Sequence, residues 1–294
     1  MSTTPDLDAL CRDVSPKAAA FIVTVYGDVV EPRGGQLWMG NLIEVCAGVG
    51  ISETLVRTAV SRLVSAGQLI GERIGRRSYY RLTPQARADF AEAARLIYHL
   101  DGMAAARGWR MVYFGGEECE TAMRRLRHRG FTALDGRLMI GPDVVLNLPA
   151  KAISWQASVD DVKPSVLQDF VARYWDVTRH VAGYRDFIRR FQPLAGLGGS
   201  SGAVVEPGHA LALRLLLVHD YRQILLRDPR WPAPALPHGW PGEEAHALFA
   251  GVYAHLSSQA DRHVGAGFCD SRQVLQARTA EVEQRLLALG RLKR

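Results

Sequence analysis

Gly50-Ile51-Ser52-Glu53-Thr54-Leu55-Val56-Arg57-Thr58-Ala59-Val60-Ser61-Arg62-Leu63-Val64-Ser65-Ala66-Gly67 reads as one helix with its own start and stop. Ser52 stands at the N-cap behind apolar Ile51, and Gly67 stands where a left-handed C-terminal cap belongs. At about 100° per residue, Ser52, Val56, Ala59, Val60, Leu63 and Gly67 fall on one side. Thr54, Arg57, Thr58, Ser61 and Ser65 fall on the other. This outer face consists of short hydroxylated side chains plus arginine instead of the usual Glu/Lys mixture. Small polar residues let a helix sink into the DNA major groove, where arginine reaches guanine edges bidentately and hydroxyls suit bases or phosphates.

Working outward, residues 68–74 and 78–82 form two extended candidates joined by Gly75-Arg76-Arg77, a hairpin with arginines at its tip. Such a ribbon would lie along a nucleic-acid backbone, with Arg76 and Arg77 meeting phosphates. Tyr79 and Tyr80 point to opposite faces, so one packs inward and the other is available to DNA; Tyr79 is placed among the DNA-binding candidates. Upstream, Ser15-Pro16 offers a helix start, and a helix over residues 17–28 is preferred although Phe21-Ile22-Val23-Thr24-Val25 favours a strand by propensity. Leu37, Trp38, Ile43 and Val45-Cys46 suggest a second short helix ending near residues 48–50. Thr83-Pro84 caps another, running to about Leu100. Helix, tight turn, hydroxyl-faced helix and arginine-tipped hairpin, in that order, predict a winged helix-turn-helix within residues 15–105. Its DNA-binding candidates are Ser52, Thr54, Arg57, Thr58, Ser61, Arg62, Arg76, Arg77 and Tyr79.

Charge supports the same segment. The 294 residues carry 36 Lys and Arg against 30 Asp and Glu, a net charge of +6. Between Arg57 and Arg87 stand seven arginines (57, 62, 73, 76, 77, 81 and 87) and one acid, Glu72, so this stretch holds the whole excess. Local concentration of positive charge points to a polyanionic partner. No apolar run is long enough to span a bilayer, and the first ten residues have two acids and no base, unlike a signal or transit peptide. A cytoplasmic location is therefore expected. Cys11, Cys46, Cys119 and Cys269 are far apart, the pattern of free thiols and not of a metal or disulfide site.

From Trp109 the pattern changes. Trp109-Arg110-Met111-Val112-Tyr113-Phe114 reads as a strand, residues 117–129 as a helix with an arginine row (Arg124, Arg125, Arg127 and Arg129), and 130–134 with 137–140 as a hairpin around Asp135-Gly136. Strand, helix and hairpin suggest a small ferredoxin-like unit over residues 106–160. The arginine row suits either a second nucleic-acid surface or a solvated helix face. Residues 161–294 read as helical. Val166, Phe170, Tyr174, Val177, Val181, Tyr184 and Ile188 mark one long amphipathic helix over 165–191, with further helices over 208–226, 243–263 and 271–293. The fold class is α+β.

Two motifs resemble catalytic or metal sites. Gly198-Gly199-Ser200-Ser201-Gly202 matches the Gly-x-Ser-x-Gly pattern, but it follows the end of a helix instead of lying between a strand and a helix, so it reads as a loop. His246, His255 and His263 near Glu243-Glu244 lack metal-ligand spacing and read as structural. No cofactor is implied. No convincing carboxylate pair supports a nuclease in the middle region, where Asp135 and Asp143 are turn-placed.

The residues quoted above also resemble a family. Phe21 to Asp28, Gly50 to Val64 and Gly75 to Thr83 are similar to the PaaX repressors of phenylacetate degradation. Tyr174-Trp175-Asp176 with Tyr184 and Phe187, His219-Asp220-Tyr221-Arg222, Leu226-Arg227-Asp228-Pro229 and Trp240-Pro241-Gly242 resemble the family's C-terminal motifs. The resemblance implies an N-terminal winged helix, a middle ferredoxin-like (Cas2-like) domain and a helical C-terminal effector and dimerisation domain. It implies a homodimer on a palindromic operator of a catabolic operon, released by an aryl-acyl-CoA, typically phenylacetyl-CoA. A coenzyme A thioester needs cations for its phosphates and an apolar pocket for its ring. Arg214, His219, Tyr221, Arg222 and Arg227 offer the polar chemistry, and Tyr174 or Trp175 could stack on the ring. The same residues also suit polar struts between helices. The reading is of a non-enzymatic regulator; an acyl-CoA-binding enzyme with an accessory winged helix is the alternative, resting on Gly198 to Gly202.

Overall fold

The computed structural model describes residues 16–100, 108–116, 119–144, 146, 148–196 and 205–290. The chain is α+β, with helices and two small antiparallel sheets. It divides into two compact units. One comprises Met1–Gly102, Phe187–Arg222 and His246–Arg294; the other comprises Met103–Asp186 and Gln223–Ala245.

The first unit opens with helix α1, Ala18–Val25, so the helical start overrides the β-branched run. Its four buried residues, Phe21, Ile22, Thr24 and Val25, face the core. The helix loosens into a π-helical turn, Tyr26–Val30, and a 3-10 turn, Glu31–Arg33. The Ser15 cap expected from sequence lies outside the described residues. Leu37 and Trp38 are not helical as expected. They lie in strand β1, Gln36–Trp38, which pairs antiparallel with Tyr80 and Tyr79. Three residues are too few for a period-2 signature, and the pairing that makes them a strand is with residues more than forty positions away. Helix α2 (Met39–Ala47) then runs to a turn at Gly50 (φ 78°), where the Ile51 N–H donates to the Cys46 carbonyl at 3.0 Å. Helix α3 is Glu53–Ser65. Strands β2 (Leu69–Ile74) and β3 (Arg77–Leu82) follow, and helix α4 is Pro84–Ile97. The sheet order is β1-β3-β2.

In the second unit, β4 (Gly108–Phe114), β5 (Thr132–Ala133), β6 (Leu138–Pro142) and β7 (Ala152–Ser158) form a sheet ordered β5-β6-β4-β7. Helix α5, Glu120–Arg127, sits between β4 and β5 in the chain. Its Met123 and Leu126 pack with Val112, Phe114 and Met139 on one face of the sheet. The opposite face carries Trp109 and Ile140, which pack with Leu167 and Val171 of helix α6 (Pro164–Tyr174), Trp175 and Trp231. Strand β7 was not anticipated; its alternation is weak because four of its seven side chains in succession are exposed.

The expected long helix over 165–191 is two helices. Helix α6 ends at Tyr174, Trp175 is extended (φ −126°, ψ 151°), and helix α7 is Val177–Ala195. The break has local causes: Trp175 Nε1–H donates to the Gly130 carbonyl at 3.0 Å, and the Asp176 carboxylate accepts from the Arg179 N–H, starting a new helix. The remaining helices are α8 (Pro207–Leu225), α9 (Gly242–Gly267) and α10 (Ala280–Gly290). The last begins later than expected from sequence, because residues 268–275 form an irregular turn closed by a Cys269–Val274 bridge. The Gly-x-Ser-x-Gly stretch and Cys11 lie outside the described residues.

Candidate nucleic-acid interface

Helix α3 separates its faces as the wheel predicts, except that Ser52 and Gly67, which the wheel puts on the packed side, are exposed at its two ends. Val56, Ala59, Val60 and Leu63 are buried, whereas Ser52, Thr54, Arg57, Thr58, Ser61 and Arg62 are exposed. Ser52 occupies the N-cap with extended backbone (φ −68°, ψ 153°), but its side chain makes no capping bond, and its hydroxyl is exposed. The helix is stopped by Gly67 at φ 68°, with the Gln68 N–H returning to the Leu63 carbonyl at 2.9 Å. That geometry satisfies carbonyls a helix end leaves open. Thr83 then locks the following hairpin: its hydroxyl donates to the Gly67 carbonyl at 2.9 Å and accepts from the Ala86 N–H at 3.2 Å.

The hairpin turns on two residues, Gly75 and Arg76, with Ile74 paired to Arg77. Gly75 has φ 60°, which a two-residue hairpin loop requires and a side chain would disfavour. Arg73, Arg76, Arg77 and Arg81 are all exposed along this ribbon. Arg77 packs its guanidinium over the Trp38 ring at 4.5 Å, a contact not anticipated from sequence because it depends on strand β1. Tyr79 is the inward-facing tyrosine, only 6% exposed, and Tyr80 is half-buried. Arg57 pairs with Glu53 one turn earlier at 2.7 Å, both exposed. An exposed pair of this spacing is worth about 0.3–0.5 kcal/mol, so it yields readily to a stronger partner.

Beneath this surface lies a buried ionic network that sequence reading missed. Asp28, set inward by the π-helical turn, accepts from Tyr98 at 2.7 Å, from Tyr253 at 2.9 Å, and from Arg214 Nε at 3.0 Å. Arg214, itself buried, also donates to Asp261 at 2.7 Å, and Arg33 binds the same Asp261 oxygen at 2.7 Å. Arg285 donates to the Gly27 and Asp28 carbonyls and lies over the Tyr98 ring at 4.3 Å. Burial opposes the charge on Asp28, but Arg214, Arg285 and the two tyrosine hydroxyls outweigh it and hold the carboxyl below its ordinary range. One local signal existed: Asp28 is the only charge in the run Tyr26-Gly27-Asp28-Val29-Val30.

The remaining candidates fall into both units. In the first, Arg214 is committed to Asp28 and Asp261. His219 Nδ1 lies 2.9 Å from the Thr24 hydroxyl, and Tyr221 hydrogen-bonds His246 at 2.9 Å while stacking on Phe249. Burial, then Arg222 and Arg190, push His219 down to about 4; burial, then His99, do the same to His246. Arg222 is half-buried, and its Nε has no hydrogen-bond partner among the described residues. In the second unit, Trp175 is a core residue stacked with Trp109 at 6.1 Å, Tyr174 is half-buried against Phe170, and Arg227 is exposed. An open polar hollow of about 550 Å³ in the first unit is lined by Glu31, Arg33, Arg87, Gln273, Thr279 and Glu281. Its two arginines are already matched, Arg33 to Asp261 and Arg87 to Glu31. Among the described residues no group of three His, Cys, Asp or Glu is arranged to hold a metal ion, and no helix is long and apolar enough to cross a membrane.

A family model described as "PaaX-like protein" matches residues 17–86, and one described as "PaaX-like protein C-terminal domain" matches residues 175–266. The "Transcriptional repressor PaaX" of Escherichia coli (strain K12) is 31% identical over 262 residues, covering 84% of this chain and 83% of that protein. Among solved structures, an uncharacterized protein from Mycobacterium tuberculosis superposes with a TM-score of 0.44 at 24% identity, over 76% of this chain and 89% of that one. With both family models met in order and a relative aligned along most of its length, the chain belongs to the PaaX family.

Proposed function

We propose that this chain is a transcriptional repressor of an aromatic catabolic operon, with a winged helix-turn-helix in residues 15–105 that binds operator DNA. One observation carries the reading: α3 buries its four apolar residues and presents Ser52, Thr54, Arg57, Thr58, Ser61 and Arg62 to solvent, next to a hairpin lined with exposed arginines. In this reading α2 and α3 are the helix-turn-helix, with α3 in the major groove, and β2–β3 is the wing. Arg57, Thr58, Thr54 and Ser61 read bases; Arg62, Arg76 and Arg77 hold phosphates. Tyr79, buried at the root of the hairpin, sets the wing's position through packing. The name of the Escherichia coli relative supports the repressor role. The cytoplasm is the matching location.

The middle region, 106–160, we read as ferredoxin-like (Cas2-like). Its strand–helix–hairpin–strand order and the sheet order β5-β6-β4-β7 support this, although no helix stands between β6 and β7 among the described residues. Residues 161–294 supply effector binding and homodimerisation on a palindromic operator. The effector is an aryl-acyl-CoA such as phenylacetyl-CoA. Of the cations considered for its phosphates, Arg222 and Arg227 have no carboxylate partner among the described residues, whereas Arg214 is held by two. Arg214 and His219 instead link the effector-binding helices to α1 and its π-helical turn, and Tyr221 joins α8 to α9 through His246 and Phe249.

A gel-shift titration on the DNA upstream of the gene tests this reading, challenged with phenylacetyl-CoA and with free phenylacetate. Release by the thioester alone is the expected result. A shift that neither compound affects, or the absence of any shift on that DNA, overturns it. Hydrolysis of the thioester by the purified protein would favour the enzyme alternative.

A further inference from the structure

Of the four exposed arginines along the hairpin, Arg77 is the one whose guanidinium lies over an aromatic ring among the described residues, 4.5 Å from the centroid of Trp38. Arg73 instead turns back on the Gly75 carbonyl at 3.3 Å. Glu72, the acid of the ribbon, accepts from Gln36 at 3.3 Å and makes no ion pair with Arg77 among the described residues. A guanidinium held over a ring face keeps its N–H donors, which lie in its own plane, open to a second partner. Trp38 is itself fixed. Its backbone N–H donates to the Cys269 carbonyl at 3.0 Å, and β1 sets it opposite Tyr79 of β3. The Ser271 N–H donates to Gln36 Oε1 at 3.0 Å, so the 268–275 turn closes the outer edge of β1. Gly40 leaves the space that the indole fills: a Cβ there would lie 2.5 Å from the nearest ring carbons. The backbone at Gly40 is helical, so what that position lacks room for is volume, not an allowed conformation.

We infer that Trp38 is a positioning residue for DNA binding: its ring aims Arg77 at a backbone phosphate and orders it before the duplex arrives. This rests on the DNA-binding wing of the proposed function and adds the residue that orients it. A free arginine side chain gives up rotamer freedom when it binds, and prior ordering over a ring reduces that loss. The indole carries no charge. Its contribution is therefore separable from that of the guanidinium it supports: losing the arginine removes a phosphate contact, whereas losing the ring leaves the contact possible and less often made.

Equilibrium binding of the full chain to duplex DNA from upstream of its gene, measured at several salt concentrations, tests this. Arg77→Ala should lose about tenfold in affinity and reduce the slope of log K against log salt by about 0.9, because one phosphate contact is gone. Trp38→Leu should lose about threefold with the slope unchanged, since Arg77 keeps its charge. Trp38→Phe should recover most of that loss. Gly40→Ala should behave as Trp38→Leu does, because it displaces the ring without removing it, and it decides the matter should Trp38→Leu fail to fold. In the Arg77→Ala background neither change should weaken binding further. Losses that add in full to that of Arg77→Ala would make Trp38 a packing residue and overturn the inference. Wild-type affinity in both Trp38→Leu and Gly40→Ala would overturn it too, as would an Arg77→Ala variant that binds as the wild type does. A wild type that binds no duplex removes the proposed function itself, and this inference with it.

Discussion

Asp28 concentrates more interactions than any surface feature of the chain. Three donors converge on its two oxygens, and removing the carboxylate leaves Arg214 buried with a single acidic partner that it shares with Arg33. Breaking a buried pair by deleting one member typically costs about 3–5 kcal/mol, because the surviving charge stays desolvated. Asp28→Ala is expected to lose that much in urea denaturation; a loss under 1 kcal/mol would show the network to be dispensable. Acid should reveal the same residues. An unfolded chain protonates its histidines near pH 6.5, whereas His219 and His246 in the fold resist until about pH 4. Between those values the unfolded state binds more protons, so stability falls as pH is lowered from 6.5 to 4, by up to roughly 1.4 kcal/mol per unit for each group. Below about pH 4 Asp28 adds its own loss, since its carboxyl holds its charge below the ordinary range and stability declines as that charge is neutralised. Thermal melts across pH 4–7 should show a shallower slope in His219→Gln than in the wild type; identical slopes would remove His219 from the account.

At the level of elements, the proposed function divides the work of reading DNA between α3 and the β2–β3 hairpin. The exposed Arg57–Glu53 pair is worth a few tenths of a kcal/mol, while a bidentate arginine–guanine contact discriminates by about 1–3 kcal/mol, so Arg57 is free to leave its helix partner for a base. Arg57→Ala should therefore relax sequence preference at one position of the site. Arg76→Ala should weaken binding to all duplexes and reduce the slope of log K against log salt by about 0.9. Binding isotherms on specific and random duplexes check both; equal losses on the two duplexes from either variant would end the division. These two elements were legible in the sequence because their signals are local: an apolar period of 3.6 in α3, and Gly75 with flanking arginines in the hairpin. The missed elements depend on distant residues. β1 is a strand because Leu37 and Trp38 meet Tyr80 and Tyr79, and α6 ends at Trp175 because that indole bonds Gly130. Periodicity runs straight through such a break. The Asp28 network was equally hidden, since its members Asp28, Tyr98, Arg214, Tyr253 and Asp261 are scattered over more than two hundred residues.

For the whole molecule, the α1 segment ties α3 to helices contributed by the C-terminal half. α1 packs on α3 through its buried face. The π-helical turn that continues it is held by Arg214 of α8, Tyr253 of α9 and Arg285 of α10, and Thr24 of α1 meets His219. In the proposed function, an effector bound among those helices acts on α3 through this segment. Thermodynamics sets what that route must deliver: each tenfold loss of DNA affinity requires about 1.4 kcal/mol of preference for the form that does not bind DNA. In the proposed function linkage makes the coupling reciprocal, so the factor by which phenylacetyl-CoA weakens operator binding must equal the factor by which saturating operator weakens phenylacetyl-CoA binding. Calorimetric titration of the thioester into the free protein and into the operator complex gives the second factor, and the gel shift gives the first. Thr24→Val removes the hydroxyl that meets His219 while keeping the side-chain volume. It is expected to shrink both factors together while leaving the affinity of the free protein for DNA within a few-fold of wild type. If the two factors in Thr24→Val remain at their wild-type values, the coupling does not run through α1, and the effector acts on DNA binding by another path.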